Sequence, residues 1–199
     1  FADTAYVTRA HGYGLQVWGV WDNFNYKNET GSNVDSLQIL SSTTIRQQLV
    51  QNIVTTSVNL GLDGVNIDFE SLTEECGLHY VQFLLEMSDL CRESGLILSI
   101  DNYVPFQFNN YYRLDIQGQI ADYVIIMGYD EHWHGSKDPG SVASIEYVSN
   151  GIANTLEKVP AEKVVNALPF YTILWRTEGT EVTDQYITLN NMADYLTRM

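Results

Sequence analysis

Apolar, β-rich runs alternate with helix-period stretches along most of the 199-residue chain. The first strand is expected at residues 15–21, LQVWGVW, entered through a Gly-containing turn at 11–14. A polar loop is expected from Asp22 to about Asp35. A helix follows, with Ser41 and Ser42 as N-cap candidates; Ile45, Leu49 and Ile53 recur at i, i+4, i+8, and Gly61 stands where a C-cap belongs. The second strand is residues 64–69, GVNIDF. The next helix, about 76–93, carries Tyr80, Phe83, Leu84, Met87 and Cys91 on one stripe and ends at Gly95. Further strands are expected at 96–100 (LILSI), 123–127 (YVIIM) and 164–170 (VVNALPF). Helices are expected at 111–120 and 144–158, and the opening of one more from Asn190.

Buried strands alternating with helices imply an α/β fold with a parallel sheet covered by helices. A doubly wound sheet and a (β/α)8 barrel share this rhythm, and two features favour the barrel. Polar and aromatic residues recur at the C-terminal end of nearly every strand: Asp22 and Asn23, Asp68 and Glu70, Asp101 and Asn102, Tyr129 and Asp130, Tyr171. Barrel active sites are built at that rim. No Gly-rich phosphate loop follows a strand, as a dinucleotide fold needs.

Composition narrows the partners. With 25 Asp and Glu against 10 Lys and Arg, the formal charge is −15, which disfavours nucleic acid and anionic membrane surfaces. No apolar run approaches the ~20 residues of a bilayer-spanning helix. The start at Phe1 rather than Met leaves room for a removed upstream segment, so no secretory signal is visible in the chain itself. Cys76 and Cys91 sit on one expected helix, roughly 22 Å apart, too far for a disulfide, so two free thiols are expected.

Residues 63–70, DGVNIDFE, carry the most chemistry. Alternation along a strand sends Val65, Ile67 and Phe69 toward the covering helices and Asn66, Asp68 and Glu70 into the barrel. Burying carboxylates side by side is costly unless they are paired or used. Same-face neighbours lie about 6–7 Å apart, so one carboxyl is expected to keep its proton near neutral pH. A protonated carboxyl is what the general acid of a glycosidase requires.

DGVNIDFE resembles the signature strand of glycoside hydrolase family 18, the chitinase and endo-N-acetylglucosaminidase family. Residues 127–130, MGYD, are similar to that family's motif at the end of the sixth barrel strand. Residues 129–144, YDEHWHGSKDPGSVAS, with 169–175, PFYTILW, are similar to its bacterial spore-cortex-lytic and cell-wall branch. The resemblance implies Glu70 as proton donor, Asp68 as the carboxylate orienting the 2-acetamido group of the sugar, and Tyr129 as the holder of its carbonyl. Asp63 and Gly64 match the structural start of the motif, and Asp130 a residue binding sugar hydroxyls. The implied reaction is retaining and substrate-assisted, through an oxazolinium ion, at β-1,4 linkages next to N-acetylglucosamine. Asn66 departs from the family, where many chitinases carry an aspartate. By the motif's place the strands are numbers three to seven. The chain is therefore expected to be a partial barrel, one catalytic domain over 1–199 truncated at both ends.

Asn23, Asn66, Tyr103, Trp133 and Tyr171 join Asp130 as expected substrate contacts; Trp133 and Tyr103 are the favoured stacking platforms because both lie past a strand's C-terminal end. His132 and His134 form too sparse a pair for a metal site, so neither metal nor cofactor is expected. The expected partner is an N-acetylated polysaccharide, in peptidoglycan, spore cortex or a chitin-like polymer. That places the protein outside the cytoplasm, in the cell wall or spore. The alternative is a silent chitinase-like carbohydrate-binding protein; silent members commonly lose the glutamate, which Glu70 retains.

Overall fold

The computed structural model describes residues 3–26 and 34–197. Part of the loop expected between Asp22 and Asp35, residues 27–33, lies outside them, as do the last two residues of the tail. Five strands form one parallel sheet: β1 (Trp18–Asp22), β2 (Gly64–Asp68), β3 (Ile97–Tyr103), β4 (Tyr123–Met127) and β5 (Val164–Ala167). Their spatial order is their chain order. Every crossover therefore steps the same way, and with right-handed connections all helices fall on one face. That is barrel winding; a doubly wound sheet reverses direction at a switch point. The architecture is a partial (β/α) barrel.

The register sorts side chains into two sets. Val65, Ile67, Leu98, Ile100, Val124 and Ile126 face the helices and are essentially inaccessible. The opposite face brings Trp18, Gly64, Ile97 and Tyr123 to its N-terminal end, and Asp22, Asp68, Asp101 and Tyr103 to its C-terminal end. Trp18 and Tyr123 stack at 5.3 Å over Gly64.

Helices α1 (Thr4–Gly12), α2 (Ser36–Ser41), α3 (Thr43–Asn59), α4 (Gly77–Glu93), α5 (Leu114–Ile120), α6 (Ile145–Leu156) and α7 (Leu189–Leu196) complete the order. Ser42 caps α3 by accepting from Ile45 N. The buried stripe of α3, however, is Arg46, Val50, Ile53, Val54 and Ser57, and Ile45 is exposed. Arg46 shifts the stripe: its guanidinium is buried on Glu86 of α4 at 2.9 Å and on the Leu40 carbonyl at 2.7 Å. The α4 stripe is buried as read, and both cysteines are free and buried within it or at its start. The chain after β5 makes an antiparallel hairpin, β6 (Tyr171–Glu178) and β7 (Glu181–Thr188), turning at Gly179 with φ +63°.

Candidate active site

The site lies at the C-terminal rim, where β2, β3 and β4 deliver their last lumen-facing side chains. Glu70 follows the end of β2 and is fixed through its backbone. Asn23 Oδ1 accepts from Glu70 N at 2.9 Å, and Asn23 Nδ2 donates to Glu70 O at 2.9 Å. Tyr103 OH donates to Glu70 Oε2 at 2.7 Å and accepts from Ser71 N at 3.2 Å. Ser71 holds φ +54°, so the chain turns sharply directly after the carboxylate; non-glycine residues keep that conformation where surroundings over-determine it.

Asp68 lies one rung deeper. Burial first, then the charges of Asp101, Glu70 and Asp22, push its carboxyl up to about 7. The proton expected to remain among these carboxyls near neutrality thus falls on Asp68. Its Oδ1 is buried with no hydrogen-bond partner among the described residues. Burial also raises Asp101, which Asn66 Nδ2 opposes by donating to it at 2.9 Å.

Tyr129 follows β4 on the same face, half-buried. Burial, then Asp101, Asp68 and Glu70, raise its hydroxyl to about 12, so it is a hydrogen-bond donor at any ordinary pH. Asp130 takes φ +59° and accepts from Tyr171 OH at 2.5 Å. Trp133, in the loop after β4, is 57% exposed.

The structure brings Glu70, Asp68, Tyr129, Asp130, Tyr103 and Tyr171 to one rim. It corrects two assignments. Asn23 is 4% exposed and spends its amide on Glu70 and on Ser36 Oγ, leaving no surface for a sugar; it positions Glu70. Asn66 is 5% exposed and bonded to Ser99 and Asp101, behind the reacting surface. The hydroxyl of Tyr103 is committed to Glu70, and this tyrosine holds the carboxylate while its ring stays partly exposed. Asp63 and Gly64 lie at the opposite end of β2. Asp63 accepts from Val17 N at 2.7 Å and pairs with His11 at 2.8 Å, and a Cβ on Gly64 would meet Trp18. Sequence reading missed Asp101 as an electrostatic partner and the whole hairpin; the signal for the latter was the alternation flanking Gly179 and Thr180.

The family model described as Glycosyl hydrolases family 18 matches residues 30–197. The chain belongs to that family. It is 31% identical over 145 residues to YdhD of Bacillus subtilis strain 168, named as a sporulation-specific glycosylase, covering 69% of this chain and 34% of that protein. It is 27% identical over 143 residues to the cortical fragment-lytic enzyme of Bacillus anthracis, covering 69% and 33%. The crystal structure of YdhD superposes with a TM-score of 0.89 at 26% identity, over 100% of this chain and 67% of that one. A chitinase from Chromobacterium violaceum shares the fold, with a TM-score of 0.85 at 22% identity over 100% and 62%. The chain spans between 33% and 52% of the length of the curated relatives it matches.

Proposed function

We propose that this chain carries the catalytic rim of a retaining glycosidase that cleaves β-1,4 linkages next to N-acetylglucosamine, with Glu70 as acid. The observation that carries the reading is the hold on Glu70: its backbone gripped on both sides by Asn23, its carboxylate by Tyr103, and a proton stored on Asp68 next along the strand. A group gripped this way is pre-organised, which is where catalytic rate comes from.

The nucleophile is the substrate's own acetamido oxygen, outside the usual two-carboxylate scheme. That oxygen bonds to the anomeric carbon as the glycosidic bond breaks, and Glu70 gives its proton to the leaving oxygen. Tyr129 donates to the acetamido group and steadies it for attack. Asp68 passes its stored proton to Glu70 as the sugar binds, and its Oδ1, ionised by that transfer and otherwise unpartnered, accepts the acetamido N–H and balances the positive charge of the oxazolinium ion. Water then opens that ion from the face the leaving group vacated, Glu70 takes the water's proton, and the configuration is retained. Asp130 and Trp133 bind adjoining sugar. The names of YdhD and of the cortical fragment-lytic enzyme favour spore-cortex peptidoglycan as the polymer, and a substrate of that kind supports a site of action outside the cytoplasm. No helix among the described residues is long and apolar enough to cross a membrane.

The test is hydrolysis of penta-N-acetylchitopentaose and of purified peptidoglycan by the full protein, beside Glu70→Gln. Loss of the acid lowers kcat by about 10²- to 10⁴-fold, with sugar affinity kept. Binding by the wild type without turnover on either substrate would instead make it a carbohydrate-binding protein.

A further inference from the structure

The loop that carries Asp130 and Trp133 is tied to the β6–β7 hairpin, far from it in sequence. Trp175 Nε1 donates to the Gly140 carbonyl at 2.8 Å. Asp184 Oδ2 accepts from His134 Nδ1 at 2.5 Å and from Gly135 N at 3.0 Å. Trp175 and Asp184 face each other across the hairpin, so both ties leave from one rung. The Asp184 side chain is only 11% exposed, while His134 covers it from outside at 55%.

From that rung a ladder of rings runs back to the site. His134 lies on Tyr186 at 4.9 Å, Tyr186 meets the edge of Tyr171 at 5.3 Å, and Tyr171 meets Tyr129 at 6.3 Å. Tyr171 also delivers its hydroxyl to Asp130. Asp130 sits in the left-handed region, a conformation an aspartate keeps when its neighbours hold it there. Its neighbours in the ladder are held in turn by the clasp. We infer that Asp184 is a positioning residue for carbohydrate: by locking the loop after β4 onto the hairpin it braces Tyr186 and Tyr171, and through them Asp130, against the bound sugar. This rests on the reading of Tyr129 and Asp130 as sugar-binding groups.

Asp184 touches no reacting atom, so its removal acts on binding rather than on bond breaking. In the full protein Asp184→Ala raises KM for penta-N-acetylchitopentaose about 5- to 10-fold and leaves kcat within about twofold. Asp184→Asn keeps an oxygen that accepts from both His134 and Gly135, and restores KM. His134→Ala removes only the outer, exposed half of the clasp, so it folds and raises KM less. On a Tyr171→Phe background, Asp184→Ala adds little, because the path to Asp130 is already cut. Amide exchange over residues 131–141 reports release of the loop independently of activity. Released amides with an unchanged KM overturn the inference, as does a fall in kcat at constant KM. Should the wild type show no turnover, the glycosidase reading fails by itself and calorimetric affinity for the same pentasaccharide decides. Weaker binding by Asp184→Ala then supports the inference, and equal binding, or none by either protein, overturns it.

Discussion

Asp68 places a partly buried carboxyl at the rim at a cost to folding. Its proton affinity is raised by burial and by three other carboxylates, Asp101, Glu70 and Asp22. In the unfolded chain it titrates near the ordinary aspartate value of about 3.9. Between about 4 and 7 the folded state binds a proton that the unfolded state does not, so stability falls as pH rises through that window and levels off above it. Asp101 is raised as well and adds a slope of the same sign. Asp68→Asn removes the larger penalty. Urea melts of the variant should match wild type near pH 4 and exceed it at pH 8 by about 1–2 kcal/mol, after discounting for the solvent that reaches the group. Equal melts at pH 8 would mean that Asp68 ionises in the ordinary range and stores no proton near neutrality. Asn23 and Asn66 belong to the same scale. A polar residue at a strand's C-terminal end is readable from sequence; whether its amide meets a sugar or a neighbouring backbone depends on packing between strands. Asn23 meets Glu70 across β1 and β2, residues 47 positions apart, and no local pattern encodes that.

Among the elements, β2 was the most legible because its alternation is strict and its two faces differ in kind. α4 was legible for the same reason, an unbroken apolar stripe. α3 misled because its buried stripe includes Arg46, a charged residue buried on Glu86 of another helix and on the Leu40 carbonyl; periodicity counts such a residue as solvent-facing. The hairpin escaped notice because its inward positions mix Tyr171, Ile173, Trp175, Asp184 and Tyr186, a polar–aromatic set that serves a cleft and not a core. The N-terminal end of β2 allows a direct test of element packing. An added Cβ on Gly64 would lie 2.8 Å from the Ile97 carbonyl oxygen and 2.9 Å from Trp18 Cδ1. Backbone on β3 cannot yield, so Trp18 must leave its stack with Tyr123. Gly64→Ala should cost about 1–3 kcal/mol in denaturant melts and change the near-ultraviolet dichroism of the Trp18–Tyr123 pair. A loss below about 0.5 kcal/mol would show that strand spacing absorbs the methyl and that this glycine is not fixed by packing.

At the scale of the molecule, charge decides what the rim attracts. The rim is negative. The charged and polar groups that perturb Asp68, Tyr129, Tyr147 and Tyr171 at the rim are carboxylates and the tyrosines Tyr129 and Tyr186, with no Lys or Arg among them, and the whole chain carries −15. A neutral N-acetylglucosamine oligomer feels little of this field, whereas peptidoglycan, which bears carboxylates, is repelled before contact. Added salt shortens the screening length from about 30 Å at 0.01 M to about 8 Å at 0.15 M, so repulsion at a distance is largely removed. Over that range kcat/KM on peptidoglycan should therefore rise severalfold, about the size of a weak steering effect, while kcat/KM on penta-N-acetylchitopentaose stays flat. Measuring both substrates in the same salt series separates repulsion from any direct effect of salt on the fold, which would move both together. A rate on peptidoglycan that falls with salt would reveal net attraction, and would require a basic surface that offsets the acidic rim.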